Sequence, residues 1–122
     1  MTYLQIKKEL GRLADLEQAH NLQRFFKTGP GEYGEGDIFI GIKMPVLRQV
    51  VKKYRDMPLS ELQFLLDTKV HEYRMTALLI LVEQFPGNED KIYDFYIKNH
   101  KAINNWDLVD VTVPRVVGQY WL

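Results

Sequence analysis

Between His71 and Phe85 the chain carries Met75, Ala77, Leu78, Leu79, Ile80, Leu81 and Val82, and Pro86-Gly87-Asn88 stops the run. So dense an apolar stretch leaves little room for a solvated face and predicts the most buried helix of the fold. The same helical period governs the rest. Leu4, Ile6, Leu10, Leu13, Ala14 and Leu16 fall near one stripe of an amphipathic helix predicted over Leu4–Ala19, and a short helix is expected over Leu22–Lys27. Met44–Arg55 reads as a helix with Pro45 in its first turn. Pro58 and Ser60 open another that runs through Leu66, and Glu89–Asn99 forms the next. Asn104 or Asn105 can cap a helix beginning at Trp106, and Pro114 can start the last. No strand period appears, because Ile38-Phe39-Ile40 is too short to carry one.

Short helices joined by tight turns predict an all-α fold. From Leu59 onward helix pairs recur at roughly the ~40–47-residue HEAT or armadillo period. The expectation is a HEAT/ARM-like α-solenoid of stacked antiparallel helix pairs, with residues 1–122 as one domain; a compact orthogonal bundle is the alternative. The segment Pro114–Leu122 ends apolar on Tyr120-Trp121-Leu122, without the polar outer face of a capping repeat. It is expected either to meet another chain or to lead on into a longer solenoid of which this is the N-terminal part.

Composition removes several function classes. With no cysteine, disulfide frameworks, thiolate catalysis and Cys-based zinc sites are excluded. No apolar run approaches 18 residues, and Met1–Glu9 is amphipathic without a signal-peptide pattern, so a cytoplasmic protein with no membrane span is expected. Sixteen basic residues balance sixteen acidic ones. The balance hides a cluster, however: Lys43, Arg48, Lys52, Lys53 and Arg55 follow one another with no acid among them. Such a run is either a solvated helix face or a local phosphate-binding surface.

The segment Thr28–Gly41 holds five of the eight glycines. It lacks the GKS or GKT of a phosphate loop, its Glu32, Glu35 and Asp37 would repel phosphate, and their spacing is not that of an EF-hand. It reads as a connector pinned to the helices by Tyr33 and Phe39. His71-Glu72-Tyr73-Arg74-Met75 begins like a zincin helix but has Met75 where the second histidine is required. His71 then reads as a helix N-terminal residue, with Glu72 answering the dipole in the first turn. His20 and His100 lie near helix ends and suggest no site.

Asn104-Asn105-Trp106-Asp107-Leu108-Val109-Asp110 is the most informative segment. On a helix at about 100° per residue, Trp106, Val113, Val109 and Leu108 form the buried arc. Asp110 falls about 40° from Trp106, at the margin of the core, whereas Asp107 lies about 100° away in the first turn. A carboxylate held beside an indole at a groove edge can stabilise a cation. Equally, it can bond a neighbouring Arg or Lys at the core margin.

Phe25–Asp37, Gly41-Ile42-Lys43-Met44-Pro45, His71-Glu72-Tyr73-Arg74 and Asn105–Asp110 together resemble the bacterial DNA alkylation repair family typified by the AlkD glycosylase. The resemblance implies HEAT-like repeats curved around double-stranded DNA containing alkylated purines, with no metal and no organic cofactor. It implies that Asp110 is the catalytic aspartate and Trp106 its aromatic partner in releasing N3- and N7-alkylated purines, without flipping the base into a pocket. Lys43, Arg48, Lys52 and Lys53 are then the expected DNA-facing cations. In the family a second tryptophan and further cleft arginines come later in the chain. The glycine-rich opening is shared with relatives, some of which bind DNA without excising bases. The readings are therefore a glycosylase, a non-catalytic module for damaged or distorted DNA, or a protein-interaction solenoid.

Overall fold

Thr2 caps the first helix: its hydroxyl accepts from the Gln5 amide at 3.3 Å, and the Gln5 side chain accepts from the Thr2 amide at 2.9 Å. This helix is α1, Tyr3–Leu13, which buries Ile6 and Leu10 one turn apart. The computed structural model describes residues 1–25, 37–102, 108 and 112–121. Among them the other helices are α2 (Leu16–Phe25), α3 (Met44–Lys53), α4 (Leu59–Leu66), α5 (His71–Gln84) and α6 (Glu89–Lys98). A short 3₁₀ turn, His100–Ala102, follows α6, and a C-terminal helix with π-type turns spans Val113–Gly118. The chain is all-α and solenoid-like, with α1 on α3 and α4, α3 and α4 on α5, α5 on α6, and α6 on the C-terminal helix.

The helix predicted over Leu4–Ala19 is in fact two. Ala14 turns extended at ψ 142°, and the Asp15 carboxylate accepts from the Gln18 amide at 2.9 Å, which starts α2 afresh. Of the stretch predicted over Leu22–Lys27, Leu22 to Phe25 is the second half of that helix, and the rest lies outside the described residues. The Asp15 amide donates to the carbonyls of Ile40 and Gly41, at 2.9 and 3.0 Å. An N-capping residue with a tertiary partner thus overrides a continuous apolar stripe.

The long apolar helix behaves as its sequence requires. Every residue of α5 from His71 to Leu81 is buried, and α5 packs against α3, α4 and α6. α1 packs across α3 and α4, and its first amide is tied to α4 by the Tyr3 N–H donating to Glu61 at 2.8 Å. Ile38-Phe39-Ile40 forms no strand. Ile38 makes one parallel bridge to Val70, its amide donating to Lys69 O while the His71 amide donates back to Ile38 O. Among the described residues no helix is long and apolar enough to cross a membrane.

The end of the chain is partly covered by the chain itself. Val116 is fully buried, the C-terminal helix packs on α6, and the Tyr120 ring stacks on Tyr93 at 3.9 Å. Trp121 stays 71% exposed, edge-on to both tyrosines.

Gly41 sits at the tightest contact. Its φ is +83°, and a Cβ there would lie 1.9 Å from the Asp15 carbonyl oxygen, a backbone atom that cannot swing away. Gly87 has φ +85° with open space around it, and Gly11 lies inside α1 with nothing near. Three alanine variants should therefore separate in urea denaturation. Gly11→Ala is expected to stabilise by about 1 kcal/mol from helix propensity. Gly87→Ala should cost about 1–2 kcal/mol from the left-handed backbone alone. Gly41→Ala should cost more than ~3 kcal/mol, since strain and collision add. Equal costs at Gly41 and Gly87 would show that the contact with Asp15 does not matter.

Candidate nucleic-acid interface

The basic run does not form one surface. Along α3, Leu47, Val50 and Val51 face the core, and Arg48 and Lys52, one turn apart, share an exposed face. Lys53 is rotated about 100° further round the helix. There its ammonium meets Glu9 of α1 at 2.9 Å and lies over the Tyr54 ring. The hydrogen bond to Glu9 holds the Lys53 ammonium above its ordinary pKa, and the same bond holds the Glu9 carboxyl below its own. Lys43, at the mouth of α3, lines a separate hollow with Asp15, Glu17, Gln18 and Asn21 at the α1–α2 corner.

Arg48 and Lys52 are joined instead by Arg115 of the C-terminal helix. The three cations border a hollow of about 340 Å³ with Val51, Leu79 and Val82 as its apolar floor and Glu83 as its one acid. Among the described residues none of these cations takes part in an ion pair. Three cations outside any ion pair, with one acid among them and an apolar floor, suit a phosphate strand with sugar faces turned inward. Arg115 is absent from the sequence expectation. It lies far along the chain from α3, and the packing of the last helix on α6 brings it there.

The pair expected to carry the chemistry, Trp106 and Asp110, lies outside the described residues, as do Asp107, the Asn104–Asn105 cap and Tyr33. The structure does describe Leu108 and Thr112, between and beyond them. Leu108 is fully buried, as the helical arc requires. The Thr112 hydroxyl donates to Leu108 O at 2.6 Å and meets the Tyr96 hydroxyl of α6 at 2.7 Å.

His71-Glu72-Tyr73-Arg74 proves to be a strut. Glu72 does stand in the first turn of α5, as expected, but it is buried. Its carboxylate accepts from three successive backbone amides: Ile40 at 3.1 Å, Gly41 at 2.9 Å and Ile42 at 3.3 Å. Buried Asp37 is bonded by the Arg74 guanidinium and lies 3.3 Å from His71 Nδ1. Phe39 stacks on the His71 ring at 4.5 Å, which is the pinning role expected of it. Among the described residues no group of three His, Asp or Glu side chains could hold a metal ion.

Comparison with known proteins gives one match: the family model described as DNA alkylation repair enzyme covers residues 6–122. No curated protein and no solved structure matches the chain.

The Tyr96–Thr112 bond generates a test. Burial pushes the Tyr96 hydroxyl above its ordinary pKa, against a smaller downward pull from Thr112. The neutral phenol is the form the fold prefers, so its contribution is complete below about pH 10 and is lost as pH rises through the higher folded value. Tyr96→Phe should cost about 1 kcal/mol at neutral pH. It should also flatten the fall in stability above pH 10, read by urea denaturation across pH 8–11.5. An unchanged alkaline limb would show that other groups govern it.

Proposed function

The chain belongs to the DNA alkylation repair enzyme family, and from that premise we propose that it hydrolyses the N-glycosidic bond of N3- and N7-alkylated purines in duplex DNA. The observation that carries the DNA half of this reading is the hollow bordered by Arg48, Lys52 and Arg115, three cations against the single acid Glu83, none of them in an ion pair among the described residues. The catalytic half rests on the residues Trp106 and Asp110 within the matched span.

Alkylation at N7 or N3 makes the purine a cation and a good leaving group. As the C1′–N bond breaks, its electron pair leaves with the base, and positive charge develops on the deoxyribose. A carboxylate beside the sugar stabilises that charge. Water then bonds to C1′, and Asp110 accepts its proton or orients it. The Trp106 ring supplies a negative π face to the cationic base or sugar. No step requires a metal or an organic cofactor. Arg48, Lys52 and Arg115 hold the strand, while Lys43 and Lys53 add weaker charge at a distance, since Lys53 is already engaged by Glu9.

Two measurements test the two halves. Arg48→Glu with Lys52→Glu should weaken duplex binding equally on all sequences, because phosphate contacts position rather than specify. Arg115→Gln should lower the slope of log K against log salt by about 0.9, and Lys53→Gln should lower it less. Binding like that of the parent at every salt concentration would leave the hollow a solvated face.

For the chemistry, Asp110→Asn should slow N7-methylguanine release about 100- to 1,000-fold in single-turnover assays, with affinity nearly intact. Asp107→Asn should change stability by at most ~1 kcal/mol and leave the rate alone. Equal rates for parent and Asp110→Asn would remove the catalytic role. A parent that binds duplex yet releases no alkylated base would establish the non-catalytic DNA-binding reading in its place.

A further inference from the structure

We propose that the turn after α6, carrying Lys98 and Lys101, is a second phosphate-binding patch that holds the DNA backbone beside the segment bearing Trp106 and Asp110. This rests on the DNA-binding reading above and adds a contact that the basic run of α3 does not contain. Lys98, Asn99, His100 and Lys101 line one hollow with Leu66, Asp67, Thr68 and Arg74. Both lysines are exposed, and among the described residues neither takes part in an ion pair.

The turn is built rather than loose. The Gln63 amide of α4 donates both to Asp67 at 2.9 Å and to Asn99 at 2.7 Å, so the ends of α4 and α6 are held together. Asn99 in turn donates to Phe95 O, and His100 Nδ1 donates to Ile97 O at 3.1 Å. Asp67 is the one free-standing acid of the hollow, and its carboxylate is engaged by Gln63. The Arg74 charge is matched by buried Asp37. Lys98 and Lys101 thus outnumber Asp67 around the hollow, leaving a surplus of one positive charge. Lys98 in the last turn of α6 also answers the helix dipole. That cause does not extend to Lys101, which lies past the helix end and borders the same hollow.

Chain geometry limits how far the held phosphate can lie from Trp106. Trp106 comes five positions after Lys101, and a fully extended chain covers at most ~3.6 Å per residue, or about 18 Å between their backbones. At 3.4 Å of rise per nucleotide along a strand, that is about five nucleotides. A phosphate on this patch therefore lies on the strand stretch around the alkylated base.

The test combines affinity with position. Lys98→Gln with Lys101→Gln should lower the salt slope by about 1.8, so the parent's advantage shrinks about twelvefold between 50 and 200 mM salt. The chain has no cysteine, so Lys101→Cys supplies a single thiol. Duplexes carrying one thiol tether on the backbone, walked outward from a single N7-methylguanine, should form a disulfide only within about five nucleotides of the lesion. A double variant that matches the parent at every salt, or cross-linking of equal yield at all positions, overturns the patch. If the Arg48/Lys52 double variant still loses binding in that case, the DNA-binding reading stands without it. A parent that binds no duplex overturns both.

Discussion

A single buried carboxylate, that of Glu72, organises the N-terminal half of the chain. It accepts from three successive amides of the Ile40–Ile42 segment, which would otherwise be buried donors without partners. Each such loss costs about 1–3 kcal/mol. With its amides turned toward Glu72, the segment presents its carbonyls of Ile40 and Gly41 to the Asp15 amide. That contact breaks the first apolar stripe into α1 and α2. The position of α2 is therefore tied to a residue of α5, Glu72, far along the chain.

The same economy places the other buried charges. Asp37, His71 and Arg74 all sit below 7% exposure, yet each charge has an opposite or hydrogen-bonding neighbour within the cluster. Removing one partner of such a group is far more damaging than never having built it. Its role is to fix where the chain emerges from the glycine-rich segment at Asp37, with Phe39 clamped on His71 and its amide donating to Gln23 of α2 at 2.7 Å.

Periodicity made α3, α4, α5 and α6 legible, because a helix whose buried face is continuous needs no outside partner to define it. The Pro86-Gly87-Asn88 stop and the first-turn Pro45 were legible for the same local reason. What escaped was tertiary. Asp15 reads as an ordinary polar residue inside an apolar stripe until Gly41 approaches it, and Glu72 reads as a dipole-answering acid until a loop turns its amides inward. The candidate interface divides in the same way. Arg48 and Lys52 follow from helical spacing, but the diversion of Lys53 to Glu9 and the arrival of Arg115 depend on how α1 and the C-terminal helix pack. The linear run of charge was the visible signal, and 100° per residue is enough to scatter it.

α6 then takes on a positioning role that its unremarkable sequence does not suggest. Its buried Tyr96 is bonded to Thr112 on the far side of the segment holding Trp106 and Asp110, and its C-terminal end is held by Gln63 on the near side. Leu108, fully buried between them, supplies a third point of attachment. A functional carboxylate must be held to within a fraction of an ångström to stabilise a developing charge. Two of these three attachments are on one helix, and they are the described contacts nearest the carboxylate proposed above to act on DNA. The α5 strut does the same toward the other end of the chain, where Glu72, His71 and Arg74 hold the described residues Asp37 to Ile42.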